Sequence, residues 1–167
     1  MAENPELVLD LWRRFGAATT LAEGVERVVP VLAGRLPLEG LVIRRLEIRG
    51  ARLETVAASF RQGRRRATLE LRSELGPTTL QRLLVACQQR AFRALARGAD
   101  DPLTAALPAG LEAEVAVGPL WGESELLGIA LLVAAPRSRF DPPQIAVASD
   151  FLEPLTAALA AHCRVHQ

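Results

Sequence analysis

Five residues near the C-terminus, His162-Cys163-Arg164-Val165-His166, hold both histidines of this 167-residue chain and one of its two cysteines. Two histidines at i and i+4 on a helix can share a metal, with a neighbouring thiolate as a further ligand. Cys163, however, projects about 100° away from the histidine seam. No Asp or Glu follows in the tail to complete a site, so the residues favour a plain helix end over a metal site, and no cofactor is required by the sequence.

Other residues with chemical potential stand apart. Arg44 and Arg45 interrupt an apolar run, and in a central strand one of them would face a covered side, where a guanidinium needs a carboxylate or an anionic ligand. A strand end reaching solvent is the favoured reading. Cys87 falls on an apolar helical stripe with Leu80, Leu84 and Ala91, which suits a buried hydrophobe better than a reactive thiol. Asp101 precedes Pro102 and reads as a helix N-cap, which leaves Asp100 as a candidate for a pocket. "RQGRRR" (61–66) is strongly basic, but only Phe60 is close enough to stack a base, so a solvated loop is favoured over nucleic-acid binding.

Several mechanisms are excluded. A Ser-His-Asp apparatus needs a positioned histidine, and both histidines lie in the tail. The chain contains no lysine, so it has no P-loop. A net charge of +1 with 50% hydrophobic residues describes a globular domain, neither disordered nor a basic nucleic-acid binder. "MAENPE" carries no apolar signal region, and the longest apolar run, 126–135, is about half a membrane span. A cytoplasmic protein with reduced thiols is expected.

The elements that must position these residues begin with an amphipathic helix, in which Val8, Leu11, Trp12 and Phe15 recur at helical spacing. Thr20-x-x-Glu23 opens a second helix with its stripe at Leu21, Val25, Val28, Val29 and Leu32. Residues 41–48 and 53–60 read as a hairpin, 67–72 as a further strand, and 79–97 as a helix with Gly98 as its C-cap. Residues 111–120 and 126–135 form a second hairpin around "WGESE", with Trp121 at its tip as a partner contact or a packing residue. Asp141 and Pro142 begin one last helix, along which Ile145, Ala148, Leu152, Leu155, Leu159, His162 and His166 alternate by three and four.

This order of elements, with Val117-Gly118-Pro119-Leu120, Leu127-Gly128-Ile129-Ala130-Leu131 and Arg139-Phe140-Asp141, resembles a GAF domain over about residues 17–162. The resemblance implies an α+β fold: a central antiparallel sheet of five or six strands, helices on both faces, and a pocket roofed by the middle helix. It departs at Gln144-Ile145, where the family usually carries an acidic pair. The Asn-Lys-Phe-Asp-Glu signature of cyclic-nucleotide binders is represented only by Phe140-Asp141, which argues against that ligand.

What the resemblance implies for function is a non-catalytic sensory domain of a bacterial signalling protein. It would have an N-terminal helix (1–16), a core (17–162) and an exit helix (163–167) toward a covalently linked output module, foremost a transcription activator of the alternative sigma factor class. A small effector would bind near Arg44, Arg45, Cys87 or Asp100. A homodimer would form through Val8, Leu11, Trp12, Leu152, Leu155, Leu159 and His162, since Leu155 and Leu159, or Val8 and Leu11, would be partly wet in a monomer. Two alternatives remain: a ligand-free dimerisation scaffold, and a thiol redox sensor or enzyme centred on Cys87, because some relatives reduce methionine sulfoxide with pocket cysteines.

Overall fold

The structure is a computed structural model that describes residues 5–61, 69–95, 100–111 and 113–166. Helix α1 (Pro5–Ala17) leads into α2 (Leu21–Ala33), and strands β1 (Leu38–Glu47) and β2 (Arg52–Phe60) form the first hairpin. Strand β3 (Arg72–Glu74), helix α3 (Pro77–Ala86), strand β4 (Arg93–Leu95) and a short 3-10 helix (Pro102–Ala106) make up the middle. The second hairpin, β5 (Val115–Trp121) and β6 (Leu126–Ala134), precedes α4 (Pro142–Ser149) and α5 (Leu152–Val165).

Local chemistry sets most of these boundaries. The Thr20 hydroxyl accepts from Glu23 N at 3.1 Å, while the Glu23 carboxylate accepts from Thr19 N, so two amides at the start of α2 are satisfied reciprocally. Asp141 and Gln144 form a full capping box at the start of α4, with Pro142 at the first position, where its missing N–H costs nothing. Asp101 caps the 3-10 helix by accepting from Leu103 N at 2.9 Å.

All six strands pair antiparallel in the order β3-β2-β1-β6-β5-β4. The two hairpins therefore meet through β1 and β6 at the centre. On one face Leu41, Ile43, Ala130 and Leu132 join Val25, Val28, Phe151, Leu155 and Leu159 in a core under α2 and α5. On the other face Val42, Val117, Ile129, Leu131 and Val133 pack with Leu83, Cys87 and Leu103 under α3 and the 3-10 helix. The expected α+β architecture with helices on both faces is what forms. Among the described residues no helix is long and apolar enough to cross a membrane.

Three expectations fail, two of them for identifiable reasons. The helix expected over 79–97 stops at Ala86, because the chain turns after Cys87 and residues 93–95 pair with Val115–Val117 as an edge strand. Gly98, its expected cap, lies outside the described residues, as do 62–66 of the basic loop and residues 67 and 68 of the third strand. That strand begins only at Arg72, and Leu71 stays exposed. The single last helix is two helices, broken at Asp150 and Phe151. Pro154 explains the break: its ring would clash with the carbonyl of Asp150 in a continuous helix, yet it fits the first turn of a new one.

Candidate functional site

The residue with the strongest chemical signature is Arg44, which is 0% exposed and the largest fully buried side chain among the described residues. A register shift in the β1–β2 ladder between Ile43 and Arg44 sets Thr55 opposite Arg44. Nε then donates to the Thr55 hydroxyl at 3.1 Å, and Nη1 donates to the Ala106 carbonyl at 3.1 Å. Nη2 donates to the Ser73 hydroxyl at 2.9 Å and to the Leu53 carbonyl at 3.4 Å.

All four of these acceptors are neutral. The nearest countercharge acts through one hydroxyl, since Ser73 donates onward to the Glu70 carboxylate at 2.6 Å. Glu70 also accepts from Ala109 N at 3.5 Å, and its own amide donates to the Ala109 carbonyl at 3.0 Å. One arginine thus fastens β1, β2, β3 and the loop around the 3-10 helix to each other. Burial lowers the Arg44 pKa and Glu70 partly opposes this, while the Ser73 and Ala109 hydrogen bonds and the guanidinium hold the Glu70 carboxyl below its usual range. The favoured expectation of a strand end reaching solvent is corrected for Arg44, which lies inside, while Arg45 is half-buried.

Arg45 points to the opposite face. Its Nη1 donates to the His166 carbonyl at 3.1 Å, which ties the C-terminal end of α5 to β1 and places a cation where the helix dipole is negative. His162 and His166 stack with ring centroids 4.1 Å apart and planes at 18°. Burial, with His166 and Arg45 close by, lowers the His162 pKa despite the opposing charge of Glu54. Among the described residues no group of three or more His, Cys, Asp or Glu side chains could hold a metal.

Cys87 is buried, 1% exposed, at the end of α3, and desolvation raises its thiol to about 11. The Trp121 indole donates to the Cys87 carbonyl at 2.7 Å, and the Arg90 guanidinium lies 5.0 Å from the Trp121 ring centroid, so the tryptophan closes the helix end. Asp100 is exposed, beside Asp101, which caps the 3-10 helix and pairs with Arg93. The four ligand candidates are therefore not gathered together: Arg44 and Cys87 lie under one sheet face, Arg45 under the other, and Asp100 on the surface.

Two cavities accompany this arrangement. One of about 490 Å³ lies between Glu26 and Pro30 of α2, the capping Gly34, Ser59 and Phe60 of β2, and Arg61 just beyond it. One of about 330 Å³ lies among Arg45, Glu47, Arg49, Glu125, Leu127 and Cys163. Neither is lined by Arg44, Cys87 or Asp100. The dimer candidates divide as well. Leu11, Leu152, Leu155 and Leu159 are buried in the chain's own core, so they present no face to a second copy, whereas Val8 and His162 are half-buried and Trp12 is exposed. Leu155 and Leu159, expected to be partly wet in a monomer, are instead covered by the packing of α5 on β5 and β6.

The Arg44–Ser73–Glu70 relay escaped sequence reasoning, although the isolated arginine pair in an apolar strand was its available signal. No family model matches the chain, and no curated protein matches it in sequence. Solved structures do resemble it. The GAF domain of an Acinetobacter phosphoenolpyruvate-protein phosphotransferase superposes with a TM-score of 0.66 at 13% identity, over 99% of this chain and 98% of that one. The phycoerythrobilin-bound GAF domain of a cyanobacterial phytochrome gives 0.67 at 14% identity, over 100% of both chains. A free methionine-R-sulfoxide reductase from Neisseria meningitidis, in complex with its substrate, gives 0.65 at 12% identity, over 96% of this chain and 90% of that one. These likenesses establish that the fold is GAF-like.

Proposed function

We propose that this chain is a non-catalytic sensory domain that binds a small anionic effector and signals as a homodimer. In this reading its terminal helices relay the signal to a linked output module, a transcription regulator in the bacterial cytoplasm. The observation that carries the effector reading is Arg44, a buried cation whose direct partners are all neutral. A guanidinium so placed gains most from a carboxylate or phosphate that can take two of its N–H groups at once. Such a ligand would displace the Ala106 carbonyl and open the 3-10 loop. Solved neighbours that carry a bilin or a substrate support a ligand-binding role for the fold.

The scaffold reading draws on a specific observation too, because hydrogen bonds already engage Arg44 on three nitrogens and the surrounding face is packed with apolar side chains. A thiol-dependent enzyme is disfavoured by the burial of Cys87 and by its raised pKa. Native mass spectrometry of the protein as isolated tests these readings together. The expected result is a dimer with an added small anionic mass that the Arg44→Met variant lacks. A bare dimer would replace the effector reading by the scaffold.

A further inference from the structure

Helix α1 buries Leu11 completely, but two large apolar residues on its other side stay open: Leu9 is 48% exposed and Trp12 is 42% exposed. At 100° per residue Trp12, Pro5, Gly16 and Leu9 form one stripe, and a Cβ built on Gly16 meets nothing within 4 Å, so the stripe is open along its length. Glu6 and Arg13 stand side by side on one flank of it, seven residues and about 10 Å apart along the axis. Asp10 and Arg14 pair with each other at 3.2 Å, whereas among the described residues Glu6 and Arg13 have no ion-pair partner. An exposed apolar stripe bordered by two opposite, unused charges is a surface with a polarity of its own.

We propose that this face of α1 pairs with the same face of a second copy, the two helices running antiparallel across a two-fold axis near residues 9 and 10. The inference rests on the homodimer reading above and assigns its interface. A two-fold axis perpendicular to the helices keeps each flank against its own equivalent and reverses direction, so Glu6 meets Arg13 of the second copy and Arg13 meets its Glu6. Leu9 then packs on Leu9 of the second copy, and Trp12 covers its Pro5 and Leu9. A parallel pairing sets the charged flanks on opposite sides and joins neither charge pair. Thirteen residues of helix, about 20 Å, bury less than the roughly 800 Å² per partner of a standard interface, so the dimer is of micromolar strength.

Sedimentation equilibrium of the full chain from about 1 to about 300 µM brackets that affinity. Trp12→Ala is expected to raise Kd about tenfold or more, as loss of a central aromatic anchor does. Glu6→Arg and Arg13→Glu alone each raise it about threefold to tenfold, and the double exchange returns it to within about twofold of the parent, because both inverted pairs form again. All of these residues are exposed, so the unfolding midpoint of each variant reports that the fold is intact. A double exchange no better than the single ones, or a dimer indifferent to Trp12→Ala, overturns the antiparallel face while leaving the homodimer. A parent that stays monomeric throughout overturns the homodimer itself and this face with it.

Discussion

Arg44 is the residue on which strands β2 and β3 and the middle loop converge, and its replacement separates two opposing costs. A buried guanidinium loses its hydration, which favours an apolar substitute, but its removal leaves the Leu53 and Ala106 carbonyls without their charged donor. Because four acceptors lose a partner at once, Arg44→Met is expected to destabilise the chain by about 3 kcal/mol in urea unfolding. A loss below about 1 kcal/mol would mean that desolvation dominates. Glu70 makes a separate, pH-dependent claim. Its carboxyl pKa is lower in the folded chain than in the unfolded one, so its contribution is present above the unfolded value of about 4.3 and is lost as pH falls through the folded value. Urea midpoints should therefore drop more steeply on acidification in the parent than in Glu70→Gln.

Among the elements, α5 is held against the sheet by two glycines that differ in what they permit. A Cβ on Gly118 would lie 2.7 Å from the Phe92 ring and 2.8 Å from Leu152, both side chains that can shift. One on Gly128 would collide with the backbone carbonyl of Arg44 and approach Leu159 to 2.8 Å, and the carbonyl belongs to the central β1–β6 ladder. Gly128→Ala is accordingly expected to cost about 3 kcal/mol and Gly118→Ala about half of that, measured as unfolding free energies. Equal losses would show that the ladder yields as easily as the side chains. What the sequence made legible follows the same division. Caps and hairpins depend on residues a few positions apart, so Thr20, Asp101 and Asp141 were readable. The end of α3 was not, because the spacing of Ala91 and Leu95 continues the helical period while pairing with β5 turns that stretch into a strand. Arg44 was readable as an anomaly, but its partners Ser73 and Ala106 lie 29 and 62 residues away.

At the scale of the whole molecule, the layer order decides what the two cysteines can do. Cys87 belongs to the core under α3, while Cys163 packs on the α5 side, so the sheet itself lies between them. Sheets and the layers stacked on them are spaced about 10 Å apart, and a disulfide needs Cα atoms within about 7 Å. The folded chain therefore cannot cycle these thiols as an intramolecular pair. With its thiol raised to about 11, Cys87 holds roughly one part in ten thousand as thiolate at pH 7, and its burial denies access even to that fraction. Cys163 is half-buried and its pKa is also raised, by desolvation that Arg45 opposes. A neutral-pH thiol reagent, followed by mass mapping, is expected to modify Cys163 first and to reach Cys87 only at the rate of global unfolding. An oxidant should give disulfide-linked pairs of chains through Cys163, which Cys163→Ser abolishes. Rapid labelling of Cys87 in the folded chain would instead mean that the α3 face opens on its own. That opening would bring Cys87 and Arg44 within reach of a small molecule together, and the redox reading would then stand beside the effector reading.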